Sequence, residues 1–374
     1  DPAAKPSLVA FMTPLVHGAF APDKCVENEK QCVKGRILDT AKVDTSIMTS
    51  GMRRDMIAFV NLLIPARDAH MGHPVDIDEV YDRQARPSQR RILDAAAFEL
   101  PKRIVKMFMK KEAYQDVKDP RPISTINGRV KRDYSRFIYA FSEYMKTKPF
   151  YAFGKNPKEI SEHVVSILRT AEDASNTDIH RQDGSTKEIS FILLRMCLVR
   201  YFRYCYHDEL LDLQNDVKNI PAVGECGVKY SVRYQQLSGS PDTTTSNTLS
   251  GEFIGFRGLL LTPVDGGRRS YEQAFEALGI YGGDDGLTPN VNPAAFKKSA
   301  ADMGFISECE TVKRGKFGIK FLSRVYGPNV WVGDENSCCD LPRQLSKLHT
   351  TVFMAPDVTP VRKLIEKMRS FSLT

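Results

Sequence analysis

Between two short apolar runs lies Tyr281-Gly282-Gly283-Asp284-Asp285-Gly286-Leu287, a pair of neighbouring carboxylates set among glycines. Glycine reaches φ > 0 at little cost, so this stretch reads as a tight hairpin between strands that can hold both acids near one point. Two carboxylates so held repel each other unless a cation sits between them. An all-oxygen site of this kind suits a hard ion such as Mg²⁺ or Mn²⁺. The same triplet also fits a solvated Asp-Gly hairpin, so the rest of the chain has to decide.

Composition narrows the field. At 374 residues the chain can bury a large core, as two or three lobes or one elaborate domain. Its formal net charge of +7 permits a polyanionic partner, and the basic residues concentrate in 102–148. That cluster reads either as a phosphate-binding face or as a solvated helix surface. The eight cysteines show no Cys-x₂-Cys pair and no zinc spacing, which leaves free thiols. The most apolar stretch, 189–206, is broken by Arg195, Arg200 and Arg203 and does not read as a membrane span. The chain begins at Asp1 with no visible secretory signal, and reads as an excised part of a longer protein.

No repeat or low-complexity tract appears. Residues 1–90 mix Pro, Gly and charge with short apolar runs, and read as loops with brief helices. Helices are predicted at 133–147 with Asp133 as N-cap, from Pro157 onward, at 186–212, 243–259, 270–278 and 293–303, and along the tail 339–372. Strands are predicted at 279–282, 286–288, 305–313 and 317–326, and 213–242 reads as an irregular excursion. Strands and helices segregated in this way indicate an α+β fold.

Upstream of the acid pair lies Asp178-Ile179-His180-Arg181-Gln182-Asp183. Asp178 can end a strand beside the Asp284 hairpin and complete a carboxylate site for metal ions, which would activate an attacking hydroxyl and neutralise a leaving pyrophosphate. Asp183 would sit on the following turn. Both also fit strand-to-helix connections. Between the acid sites comes Ser238-Gly239-Ser240-Pro241-Asp242-Thr243-Thr244-Thr245-Ser246-Asn247. Thr243 and Asn247, four apart, share a helix face and offer neutral groups suited to sugar hydroxyls, or form a Ser/Thr-rich N-cap.

This order, Asp-x₄-Asp, then Ser-Gly-x₃-Thr-x₃-Asn, then Gly-Asp-Asp, resembles palm motifs A, B and C of viral RNA-dependent RNA polymerases. Phe108-Met109-Lys110-Lys111-Glu112 with Lys118-Asp119-Pro120-Arg121-Pro122-Ile123 is similar to the basic fingers motif F. Phe321-Leu322-Ser323-Arg324 is similar to the primer-grip motif E. The five elements cover 108–326. Within the family the chain most resembles the nodavirus replicase polymerase region of positive-strand RNA viruses, on its 6–14 segment and its form of motif F.

The resemblance implies a right-hand α+β polymerase with an antiparallel palm sheet. Fingers would come from 1–150 and an insertion at 213–237, palm from 151–212 and 238–326, and a short, truncated thumb from 327–374. It implies template-directed nucleotidyl transfer with Mg²⁺ or Mn²⁺ on Asp178, Asp284 and Asp285, of which Asp285 is the less direct ligand. Asp183, Ser238, Gly239, Thr243 and Asn247 would select the ribose, and Lys111, Lys118 and Arg121 would bind the triphosphate. Lys313 and Lys316, in the motif D region, are the candidates for a general acid. Within motif A, His180, Arg181 and Gln182 depart from the hydrophobic or aromatic residues sometimes found there. The implied partners are template and product RNA, NTPs and other replicase subunits in a membrane-bound replication complex. The implied location is the host cytoplasm at virus-induced membranes, the mitochondrial outer membrane among them. Two rival readings are a non-catalytic RNA-binding or assembly fragment and a reverse transcriptase.

Overall fold

The computed structural model describes residues 8–371 apart from 17, 20, 43–45, 47, 85, 115, 352 and 353, so part of the 6–14 segment lies outside the described residues. Its centre is a four-stranded antiparallel sheet in the order Ile280–Gly282, Asp285–Pro289, Asp173–Ile179, Ser307–Lys313. Alternation along these strands separates two faces. Ala174, Ile280, Leu287 and Val312 pack with Val164, Val165 and Leu168 of helix Pro157–Leu168 and with Trp331. On the other face, Tyr281 joins the large core built by helices Glu188–Tyr201 and Thr243–Leu261. Covered on both sides, the sheet is a rigid platform, and the Asp284 turn lies at one of its ends.

A second four-stranded sheet runs Pro122–Thr125, Val105–Met109, Ile220–Gly224, Lys229–Val232. The hairpin Ile220–Val232 thus replaces part of the irregular excursion expected at 213–242. Its strands are short and one contains Pro221, so the sequence carries little periodicity there, and long-range parallel pairing with Val105–Met107 holds it in place. A third, small sheet joins Lys320–Phe321, Arg324–Tyr326 and Ser337–Cys339.

Several helices differ from expectation for local reasons. The helix predicted to start after Asp133 starts at Gly128, because the Asn127 side chain accepts from the backbone N–H groups of Arg129 and Val130. The span 186–212 divides at Phe202, which is extended and fully buried, and resumes at His207–Asn215. Within 1–90, Ser50–Leu63 forms a full helix whose Met52, Met56, Phe59, Val60 and Leu63 enter the large core. Among the described residues the tail is helical only at Leu341–Leu345 and Pro360–Phe371. Between them Thr350–Thr351 pairs with Val9–Ala10, bringing distant parts of the chain together.

Candidate active site

Asp178 is the penultimate residue of its strand and lies directly opposite Asp285 on one side and Glu308 on the other. Cross-strand partners share a sheet face, so three acids stand side by side at one level. The neighbouring turn is fixed by two backbone bonds: Ile179 N–H donates to Asp284 O (3.2 Å), and Gly283 N–H donates to the Thr248 hydroxyl (2.9 Å). Gly283 has φ +71, the left-handed conformation the turn requires. Burial, the Asp284 charge and the Glu308 charge raise the Asp178 carboxyl to about 6. Burial and the charges of Asp284 and Asp178 raise Asp285 to about 7. Acids that resist ionisation because they face one another are suited to a cation. Among the described residues, no three His, Cys, Asp or Glu side chains are already drawn together as a finished metal cage.

A cavity of about 480 Å³ opens beside this end of the sheet, lined by Asp183, Asn247, Ser238, Arg121, Arg181 and Asp284 among others. Asp183 lies in the short helix Gln182–Ser185 and accepts from Asn247 Nδ2 at 2.7 Å. Burial raises the Asp183 carboxyl, and the Asn247 hydrogen bond and the Arg121 charge oppose that rise. Ser238 and Thr243 also line the cavity, but their hydroxyls are engaged by the backbone. Ser238 Oγ accepts from Ser124 N–H (3.0 Å) and donates to Pro122 O (3.2 Å). Gly239 N–H donates to Ser124 O at 2.8 Å, and a Cβ at this glycine would lie 2.4 Å from that oxygen. These two residues therefore clamp the loop onto the strand that follows Arg121. The Thr243 hydroxyl turns back to Leu237 O (2.7 Å) and Ser240 O (2.8 Å). Only Asn247 of this group reaches a site carboxylate.

The chain is 32% identical over 358 residues to the RNA-directed RNA polymerase of striped jack nervous necrosis virus, covering 93% of this chain and 35% of that protein. It is 28% identical over 290 residues to that of Flock house virus, covering 74% of this chain and 28% of the relative. Over most of its length this chain is similar to nodavirus RNA-directed RNA polymerases. It spans about a third of the length of the curated relatives it matches. The RNA-dependent RNA polymerase of a human picorbirnavirus shares its fold, with a TM-score of 0.71 at 11% identity, over 92% of this chain and 70% of that one. No family model matches the chain.

The polymerase fold distributes the remaining candidates unevenly. Arg121 lines the cavity and lies 3.5 Å from Glu112. Lys118 lines a second cavity of about 850 Å³ next door, and Lys111 is exposed and lines neither. Lys313 pairs with Asp173 (2.6 Å) at the far end of its strand, five residues beyond Glu308. That is about 16 Å from Asp178 at strand rise. Lys316 lies further on, in the turn whose carbonyl accepts from Trp331 Nε1. Neither lysine is placed as a general acid at Asp178. The strand was legible in the sequence, but its direction relative to Asp178 was not.

Phe321 and Arg324 pair across a two-residue turn in which Leu322 (φ 47) and Ser323 (φ 61) both adopt the left-handed conformation. The turn packs against the sheet: Asn176, two residues before Asp178, donates to Gly318 O and accepts from Lys320 N–H. Ser323 Oγ accepts from Arg343 Nη1 (2.7 Å), and Arg324 donates to Ser337. Sequence reasoning missed Glu308, Thr248, Arg36 and Arg343. Arg36 lines both cavities, and the Arg343 charge acts on Asp285. Only register and tertiary contact bring these four to the site.

Proposed function

We propose that this chain carries the nucleotidyl-transfer centre of a viral RNA-dependent RNA polymerase, extending an RNA 3′ end with template-matched NTPs. The observation that carries the reading is the meeting, at one sheet end and one cavity, of Asp178, Asp284 and Asp285 with the Asp183–Asn247 pair and Arg121. Similarity to the viral RNA-directed RNA polymerases supports it.

Asp178 and Asp284, with Asp285 beside them, would hold the divalent cations, Mg²⁺ or Mn²⁺. Bound there, such ions supply a lowered pKa for the attacking hydroxyl and countercharge for pyrophosphate. Asp183 and Asn247 would receive the ribose hydroxyls, so a deoxynucleotide leaves a buried polar partner unpaired at a cost of about 1–3 kcal/mol. Arg121 would grip phosphate oxygens in a fork that a lysine cannot reproduce. The basic 102–136 stretch would follow the template through its backbone charge, since a copying enzyme cannot depend on one sequence.

In this reading the second sheet joins 1–150 and 213–237 as fingers, and the central sheet is the palm of 151–212 and 238–326. Pairing of Ser337–Cys339 with Arg324–Tyr326 supports moving the palm–thumb boundary past residue 339. A place in a membrane-bound replication complex in the host cytoplasm, alongside other replicase subunits, rests on the family resemblance alone. Among the described residues no helix is long and apolar enough to cross a membrane.

The test is incorporation of labelled NMP on a single-stranded RNA template with either metal, primed and unprimed. Asp284→Ala should abolish turnover while RNA affinity and melting temperature stay near the parent's. Folded protein that binds RNA without incorporation supports a non-catalytic module, and preference for dNTPs supports a reverse transcriptase.

A further inference from the structure

Two cavities meet at a wall made of guanidinium groups. Arg36 and Arg181 line both, whereas Arg121 and Asp183 line the first and Lys118, Asp119 and His180 the second. The wall is held by one carboxylate. Asp119 Oδ2 lies 2.7 Å from Arg181 Nη2, and Asp119 Oδ1 accepts from Gln31 Nε2 at 2.7 Å. Arg36 donates through Nε (3.2 Å) and Nη2 (3.0 Å) to the Asp119 carbonyl, and Arg181 also donates to Gly35 O.

The backbone around this knot has unusual conformations. Lys34–Leu38 forms a π-helical turn, a widening that is uncommon and recurs at functional sites. Gly35 lies under the carboxylate so closely that a Cβ there would be 2.1 Å from Asp119 Oδ2. Arg181 has φ 50, the left-handed conformation, in a residue that gains nothing from it intrinsically. Two separate segments, 31–36 and 181, thus converge on a single acid, and two of its partners, Arg36 and Arg181, are positive charges that repel one another. Burial and the neighbouring charges of Arg181 and Arg121 all act to lower the Arg36 pKa. Asp23 and Asp116 also line the second cavity and Asp183 and Asp284 the first, but Asp119 is the acid that contacts these guanidinium groups directly, and a polyphosphate carries several charges that suit the forked donors of two arginines.

Building on the nucleotide-transfer reading, we propose that Arg36 and Arg181 are polyphosphate-binding residues and that Asp119 is their internal stand-in ligand. Its carboxylate and carbonyl hold both guanidinium groups between the cavities until the tail of an incoming nucleotide takes them over. Asp119 then acts as a competitor that the correct ligand must displace, and it keeps two like charges tolerable in the free site. A purely architectural ion pair would behave in the opposite way, since removing its acid would loosen the arginines and weaken binding of any anion.

The experiment is calorimetric titration of the intact chain with inorganic tripolyphosphate, without RNA or divalent metal. Asp119→Asn should tighten binding by about tenfold if the acid occupies the arginines roughly nine-tenths of the time. Arg181→Ala and Arg36→Ala should each weaken binding by about tenfold or more. Gln31→Ala leaves the acid in place but frees one oxygen, and should tighten binding more modestly. It decides the matter if Asp119→Asn does not fold. Unchanged or weaker affinity in the folded acid-side variants overturns the inference even when NMP incorporation is normal. Tighter binding in a chain that incorporates no nucleotide sustains it and counts against the polymerase reading alone.

Discussion

Thr248→Val tests whether the helix Thr243–Leu261 sets the position of the Asp284 turn. Thr248 is fully buried; its hydroxyl accepts from Gly283 N–H at 2.9 Å and donates to Thr244 O at 2.8 Å. Valine keeps the volume and removes the acceptor. The Gly283 amide, one residue before Asp284, is then left without that partner unless the turn shifts to find another. A buried donor so stranded costs about 1–3 kcal/mol. If the turn moves to relieve that cost, the population with Asp284 in its present place falls by roughly 5- to 150-fold. Asp183, Asn247 and Arg121 stand on other elements and keep their positions. Single-nucleotide extension should therefore show kcat reduced by about that factor and KM for NTP nearly unchanged. Thr248→Ser returns the hydroxyl and should recover most of kcat, although it loses a buried methyl worth about 1 kcal/mol of stability. Full activity in the valine variant with a defective serine variant would refute the argument, because packing of the methyl would then be what matters.

Three further outcomes follow from the same geometry. Asn247→Ala removes the 2.7 Å donor to Asp183 and should lower discrimination between rNTP and dNTP on the order of tenfold, read as the ratio of kcat/KM values. Lys313→Ala breaks an ion pair whose lysine is 73% exposed, so stability should change by less than about 1 kcal/mol and the pH–rate profile should not move; a lost basic limb in that profile would restore the lysine as general acid. In chelator, the Asp178 and Asp285 carboxyls, raised to about 6 and about 7, contribute stability below their unfolded pKa near 3.8 that is lost as pH rises through 6 and 7. Melting temperature should fall across that window, less so in Asp285→Asn, and added Mg²⁺ should recover more at pH 8 than at pH 6. A profile identical in the variant would remove these acids from the explanation.

Legibility varied with the range of the interactions involved. Helix Pro157–Leu168 was readable because its signals are local: Asn156 and Glu159 form a capping box around Pro157. Helix Ser50–Leu63 had equally local periodicity in Met52, Met56, Phe59 and Leu63, but nearby Pro and Gly obscured it. The strands at 220–232 and 350–351 had no such signal, since the first pair, though a local hairpin, is joined to a sheet by distant Val105–Met107 and Thr350–Thr351 pairs with distant Val9–Ala10. Among the candidate side chains, Asp178, Asp183, Asn247 and Asp284 could be picked out by spacing. Ser238 and Thr243 have the same residue chemistry, yet the fold turns them onto backbone groups.

By itself, the sequence determined which residue types had to meet. A glycine turn bearing two acids, a third acid at a strand end and an amide on a helix face are properties of local spacing, and local spacing is written in the chain. Tertiary structure decided how each group is used. Strand register set Glu308, and not Lys313, beside Asp178, because one end of an antiparallel strand is about 16 Å from the other over five residues. Packing of three distant segments gave Asp119 two arginines to hold. Such neighbours are fixed by long-range pairing and burial, which no window of sequence contains.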